Sequence, residues 1–484
     1  MRFDWRWPSS LAVLLLVACV PEPVHYDLVL RGGRVMDPES GLDAVMDVGI
    51  DGGLIAAVSE GPLDGTEVVD ASGHVVAPGF IDLHAHGHDP FSRDLQARDG
   101  VTAAFELEGG AFPVDEWYEE REGSWRIHFG ATTAYGAARV LAFDEDELAA
   151  RNEEASPEQV EAIQETLREG LADGALGIGL PLQYQPGASR PEIFRMFRTA
   201  TEAGVTVFAH IRYAGMKEPE SAISAVQEMI ADAAGSGGSV HIVHIGSTGL
   251  GQMPVVIDMI ANAAAAGIDV TTEVYPYTAA STDIRSAIFD PGWRERLGAD
   301  YGDIEWVATG ERLDEARFNL RRNETPDTEP AIVIAHIIPE QELADAIAHP
   351  DVMIASDGVG YIDGRAHPRG AGTFARVLGR YSRDEGRLGL MEAIRKMTLA
   401  PARRLEAVAP AMRRKGRLSV GADADITIFD PETVIDRATF AEPAVPSAGI
   451  PHVLVDGVFV VRDGELVEGA LPGRAIRSSV VDRD

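Results

Sequence analysis

Apolar and polar positions follow two textures along this chain. Between residues 26 and 76, short alternating runs are broken by glycine turns. Residues 26–30 lead into Arg31-Gly32-Gly33, and residues 47–50 into Asp51-Gly52-Gly53. The same texture returns in residues 424–429, 452–455 and 459–461. Between these flanks, strand-like runs alternate with helical ones. The strand candidates are residues 80–86, 101–108, 126–131, 175–179, 205–210, 240–244, 268–275 and 352–357. Helical periodicity covers 157–171, which Ser156 can cap, and 191–203, ended by Gly204. Eight strands separated by helices predict a TIM-like (β/α)8 barrel, an α/β fold, over residues 79–400. The two β-rich flanks, 26–78 and 401–474, predict a small β-sandwich formed from both chain ends, with 475–484 as a tail. A ninth apolar run, 331–336, leaves the strand count open by one. A doubly wound sheet is the alternative, but no Gly-rich dinucleotide fingerprint follows the first strand.

Composition sets bounds. A chain of 484 residues, 45% hydrophobic, can bury a large core. Its net charge of −35 argues against a nucleic-acid partner, since phosphate binding needs a basic face. At the N-terminus, Arg2 and Arg6 precede an apolar run, 11–17, too short to span a bilayer. Leu16-Val17-Ala18-Cys19 resembles a bacterial lipoprotein processing box. This implies a signal peptide over 1–18, a lipid-carrying Cys19 with a tether to residue 25, and an exported, membrane-anchored protein. Cys19 is the sole cysteine, so the rest of the chain can form no disulfide and no thiolate metal site.

The polar residues that carry chemistry sit at strand C-termini. In Phe80-Ile81-Asp82-Leu83-His84-Ala85-His86, alternation turns both histidines to one face, with Phe80 and Asp82. Glu108, His210, His244 and Asp357 end other strands, and in a barrel these ends converge on one mouth. Six nitrogen and oxygen donors meeting there predict a metal site. Glu106 lies on the same strand face as Glu108, and alternation does not separate the two. His336 reads as structural, His241 lies by alternation on the face opposite His244, and His88 and His128 show no partners in sequence.

Here the chain resembles the amidohydrolase superfamily, and within it the D-aminoacylase or N-acyl-D-amino-acid deacylase group. The resemblance spans residues 26–474 and rests on Pro78-Gly-Phe-Ile-Asp-Leu-His-Ala-His86, Tyr275-Pro-Tyr-Thr-Ala-Ala-Ser-Thr282, Ser356-Asp357-Gly358, His367-Pro-Arg-Gly370 and Gly421-Ala-Asp-Ala-Asp425. It implies that His84 and His86 bind one metal, that His210 and His244 bind a second, and that Asp357 binds the first and handles protons. Such families bridge the metals with a carboxylated lysine or, in D-aminoacylases, a second-strand cysteine. The three lysines, Lys217, Lys396 and Lys415, end no suitable strand, and the cysteine position holds Glu108, a carboxylate able to bridge unmodified.

The implied reaction is hydrolysis of an amide, releasing a (D-)amino acid from an N-acyl-amino acid or dipeptide. One or two Zn²⁺ ions would activate water, and Asp357 would act as general base and then general acid. Tyr275 and Tyr277 are candidates near the oxyanion, and Arg369, Arg212 and Arg285 for a substrate carboxylate. The lysine that the group carries shortly after the sixth-strand histidine is missing from His244-Ile245-Gly246-Ser247. A cyclic amide or lactone is therefore an alternative substrate, and an inert lipid-tethered binding protein a second alternative.

Overall fold

The computed structural model describes Met1, residues 24–326 and residues 328–479. The expected signal peptide and Cys19 lie outside the described residues. The described chain opens with β1 (His25–Asp37), β2 (Leu42–Asp51), β3 (Leu54–Ser59), β4 (Asp64–Asp70) and β5 (Val75–Pro78). Seven barrel strands follow: β6 (Phe80–Asp82), β7 (Val101–Ala111), β8 (His128–Ala134), β9 (Gly177–Pro181), β10 (Thr206–His210), β11 (Ser239–Ile242) and β12 (Asp269–Val274). Next come β13 (Ala280–Asp283), β14 (Ile304–Trp306), β15 (Glu311–Arg312) and β16 (Ile332–Ala335), before β17 (Val352–Ile354) completes the barrel. The last strands are β18 (Ile426–Phe429), β19 (His452–Val455), β20 (Val458–Arg462) and β21 (Glu465–Leu466).

The barrel strands run in the order β6-β7-β8-β9-β10-β11-β12-β17, all parallel, and an Ala85–Gly358 bridge joins the two ends. Each of the eight expected runs supplies one strand. The ninth run does not enter the barrel. It is β16, which pairs antiparallel with β13 and β14 in a separate four-stranded sheet. A short apolar run carries no label for its sheet; here β13 and β14, which lie between β12 and β17 in the chain, supply the edges that β16 pairs with.

Capping residues set the helices. Ser156 and Gln159 form a capping box at the start of Pro157–Ala172, and Ser189 with Glu192 does so for Arg190–Ala203, which Gly204 ends at φ +72°. Close approach explains one glycine of the entry motif. A Cβ on Gly79 would lie 2.2 Å from the Thr102 side chain, so β6 reaches β7 only because this position has none.

The two chain ends build one connected nine-stranded sheet, β21-β20-β19-β18-β5-β1-β2-β3, with β4 also on β1. The expected sandwich is thus a single hydrogen-bonded sheet. Strand β1 serves both halves, pairing with β4 over its first part and with β5 at Arg34 and Val35 after a register shift. Leu28, Leu30, Val48, Ile426 and Leu454 form its own apolar cluster. The first residues of the expected tail pack on the barrel: the Ile476 amide donates to Phe129 (2.7 Å) and the Tyr118 hydroxyl to the Ile476 carbonyl (2.9 Å).

A buried ion network fastens this sheet to the closed end of the barrel. Lys415 Nζ donates to Asp425 (2.6 Å) and Asp423 (2.9 Å), and the other oxygen of Asp425 faces His128 Nε2 at 3.2 Å. His128 therefore has partners that the sequence did not reveal. Its Nδ1 accepts from the Arg474 amide, so both ring nitrogens are used in the join. Lys415→Met should cost about 3–5 kcal/mol, because Asp425 would stay buried without its cation. Urea unfolding would read the loss, with metal content unchanged.

Candidate metal centre

All six expected donors meet at the C-terminal mouth of the barrel. His84 and His86 follow β6, Glu108 lies in β7, His210 ends β10, and His244 and Asp357 lie just past β11 and β17. His244 and Asp357 take left-handed backbone, φ +32° and +50°. Such conformations cost on the order of 1–3 kcal/mol each and here turn both side chains to the mouth.

Two donor groups share one carboxylate: His84, His86, Glu108 and Asp357, and Glu108, His210 and His244. Glu108 Oε2 lies 2.8 Å from His84 Nε2 and 3.3 Å from His244 Nε2, and its Oε1 lies 2.9 Å from His210 Nδ1. Asp357 Oδ1 is 3.5 Å from His84 Nε2 and 3.6 Å from His86 Nε2. Within each group the imidazole nitrogens face one another at 3.0 Å, His84 against His86 and His210 against His244.

The far ring nitrogens explain which lone pairs face inward. His84 Nδ1 is 2.7 Å from Glu273, His86 Nδ1 is 2.8 Å from Glu106, and His210 Nε2 is 2.7 Å from the Gln183 amide oxygen. His244 Nδ1 meets the Ser247 hydroxyl at 3.2 Å. A neutral imidazole that donates at one nitrogen offers a lone pair at the other. The facing nitrogens and the Glu108 oxygens are then electron-rich groups crowded together, an arrangement that a divalent cation satisfies. The surrounding carboxylates make the pocket favour positive charge, which a bound cation would supply in place of protons on the rings. Burial alone would lower the imidazole pKa values, yet the surrounding carboxylates hold His84 well above the ordinary range and lift His86, beside Glu106, to about 10. The donor set combines borderline imidazole nitrogens with carboxylate oxygens and fits zinc.

Other candidates fall elsewhere. Glu106 turns to His86 and to His88, whose Nε2 is 3.3 Å away, so His88 does have a partner. His241 is not on an outer face. It donates to Glu273 at 3.0 Å, and Glu273 reaches His84, so His241 lies inside the barrel below the donors. The left-handed turn at His244 breaks the alternation that placed the two histidines apart. Tyr277 does not reach the site: its hydroxyl donates to Asp436 (3.2 Å). Arg212 is closed by a bidentate pair with Glu228 (2.9 and 3.1 Å), and Arg285 by one with Asp283 (2.6 and 2.9 Å). His336 pairs with Glu305 at 3.0 Å in the four-stranded sheet.

Arg369 and Tyr275 do face the mouth. Arg369 Nη1 lies 2.9 Å from Asp357 Oδ2, with the guanidinium 4.5 Å above the Tyr275 ring. Asp82 was a residue the sequence offered without a role. It accepts from the Ser356 amide (2.9 Å) and hydroxyl (2.5 Å) and from the His84 amide (3.2 Å), tying together the strand ends that carry His84 and Asp357. Sequence reasoning also missed Glu273 and Gln183. Glu273 had a signal, a carboxylate at the C-terminal end of a strand run that has no other charge after Asp269 at its start. Glu273→Gln should weaken zinc affinity about 10–100-fold, read by competition with a chelator, because His84 loses the partner that sets its tautomer.

A cavity of about 390 Å³ opens over the donors, lined by Gln183, Tyr184, Tyr275, Ser281, Ile288, Phe289, Ile337 and Arg369 among others. Strand β13 and the segments around it form its outer wall, with Tyr184 bonded to Thr282 at 3.0 Å. Fold and donor set define the class of barrels that hold metal ions at the C-terminal mouth.

Comparison with known proteins narrows this class. The model of the amidohydrolase family matches residues 129–461, and the chain belongs to that family. An N-acyl-D-glutamate deacylase of Alcaligenes xylosoxydans xylosoxydans is 32% identical over 93% of this chain and 96% of the relative. A D-aminoacylase of the same organism is 30% identical over 93% and 97%. The crystal structure of the N-acyl-D-glutamate deacylase from Bordetella bronchiseptica, in complex with zinc and a phosphonate mimic of the tetrahedral intermediate, superposes with a TM-score of 0.80. It is 28% identical and covers 94% of this chain and 100% of its own.

Proposed function

We propose that this chain is a zinc-dependent amide hydrolase that releases a D-amino acid from an N-acyl-amino acid or dipeptide. The observation that carries the reading is Glu108, whose two oxygens serve both imidazole groups at once. His84, His86 and Asp357 would hold one ion, His210 and His244 the other, and Glu108 both. The chemistry such ions supply is polarisation of the amide carbonyl and ionisation of water near neutral pH.

The chain's own groups account for the rest. Arg369 fixes Asp357 Oδ2 and leaves Oδ1 toward the donors. Oδ1 is the atom that takes a proton from the attacking water and returns it to the departing amine nitrogen. Burial, only partly offset by Arg369, pushes the Tyr275 phenol up to about 12, so it remains a proton donor at neutral pH. Its ring lines the cavity beside Ser247 and Arg369, where the hydroxyl can donate to the developing oxyanion. The D configuration is supported by what the two relatives act on.

The test is metal analysis of the purified protein together with a panel of N-acetyl-D- and N-acetyl-L-amino acids, D-containing dipeptides and hydantoins. D-amino acid release that is lost to a chelator and restored by zinc is the expected result. Turnover of L compounds alone, or of rings alone, would overturn the reading.

We also propose export with a lipid on Cys19, supported by Arg2, Arg6, the apolar run and the processing box. Cys19→Ser should move the protein from the membrane to the soluble fraction; unchanged fractionation would refute it.

A further inference from the structure

Beyond the metal donors, the lining of the 390 Å³ cavity holds a single cation among the described residues, Arg369. That guanidinium already stands 2.9 Å from Asp357 Oδ2. The lining has one further carboxylate, Asp283, which Arg285 meets at 2.6 and 2.9 Å. Ile288, Phe289, Leu297, Ala335 and Ile337, all from the segment between β12 and β17, make the lining apolar where that segment covers the donors. Phe289 is fixed in place, its ring edge-on to Trp293 at 5.4 Å and to Phe318 at 5.6 Å, neither of which lines the cavity. Arg296, one residue before Leu297, gives its guanidinium to the carbonyls of Ile288, Asp290 and Pro291. The apolar surface is therefore preformed, and the arginine beside it is committed.

We infer, on the footing of the amide-hydrolase reading above, that the amino acid this site releases has an apolar side chain and not an acidic or basic one. Every N-acyl-amino acid brings one α-carboxylate, and the lining offers one cation. A second carboxylate, wherever in the substrate it sits, enters the cavity without one. Hydroxyls such as those of Ser281 and Thr282 can donate to it but do not neutralise it, and an unpaired buried charge is costly. A side-chain ammonium fares no better, because Asp283 has its cation and Glu108 and Asp357 belong to the donor groups. An aliphatic or aromatic side chain leaves water favourably and covers the surface from Ile288 to Ile337.

The experiment uses the zinc-loaded full chain and the N-acetyl derivatives of D-leucine, D-glutamine, D-glutamate and D-lysine. The acyl half is then constant, and glutamine matches glutamate in shape without its charge. N-acetyl-D-leucine should show a kcat/KM about 10²-fold above the glutamate and lysine compounds, with glutamine about 10-fold below leucine. Ile288→Lys and Ile337→Lys, at half-buried positions of the lining, each add a cation to the apolar surface. Either should move the leucine-to-glutamate ratio about 10-fold toward glutamate, and a ratio taken within one variant does not depend on the fraction folded. Equal turnover of the glutamine and glutamate compounds, preference for glutamate or lysine over leucine, or a ratio that neither variant moves would overturn the inference and leave amide hydrolysis standing. Cleavage of D-containing dipeptides but of none of the four would overturn it alone. Cleavage of no amide at all would sink both readings.

Discussion

Glu108→Ala is expected to lower kcat/KM about 10³-fold, some 4 kcal/mol of barrier, and to leave at most one zinc per chain. Among the described residues, no other side chain at the mouth belongs to both donor groups. With Glu108 gone, His210 and His244 keep each other but lose the only carboxylate of their group, and His84 loses a contact of 2.8 Å. Glu106→Ala is the matched control, since Glu106 touches His86 through the ring nitrogen that faces away from the donors. Its removal should weaken metal binding about 10–100-fold and be rescued by excess zinc. Zinc analysis and kinetics on both variants separate the two carboxylates. Equal, zinc-rescuable losses in Glu106→Ala and Glu108→Ala would mean that Glu108 does not join the groups.

Asp357→Asn is the second large effect. It should lower kcat about 10²–10⁴-fold, the usual contribution of a positioned general acid–base, while zinc content stays near that of the parent. An amide keeps an oxygen toward His84 and His86 but cannot take a proton. Arg369, which lies 2.9 Å from Asp357 and is buried, would then face a neutral group. The diagnostic is the split between occupancy and rate. Loss of zinc and rate together, both recovered by added metal, would make Asp357 a ligand without a part in proton transfer.

Much of the site was legible in the chain because strand alternation is a local property. His84 and His86 had to share a face whatever they faced, and the ends of parallel barrel strands had to share a mouth. The barrel itself followed from the same regularity, eight apolar runs separated by helices. Alternation stopped being informative where the backbone left the strand. His241 and His244 were assigned to opposite sides, yet both serve the barrel interior, because His244 sits in a left-handed turn. The arginines were not separable either. Arg212, Arg285 and Arg369 look alike in sequence, and only Arg369 is turned to the cavity.

The linear order of residues thus determined the class of fold, the face of each strand-end donor and the absence of lysine or cysteine from a bridging position. These depend on residue type and on periods of two or 3.6, which neighbours along the chain establish. The folded chain alone decided that Glu108 and not Glu106 stands between the imidazoles, that Glu273 holds His84 across 189 positions, and that β16 joins β13 and β14 instead of the barrel. Such pairings are settled by which elements pack together in space, and no local pattern encodes the distance between side chains on different strands.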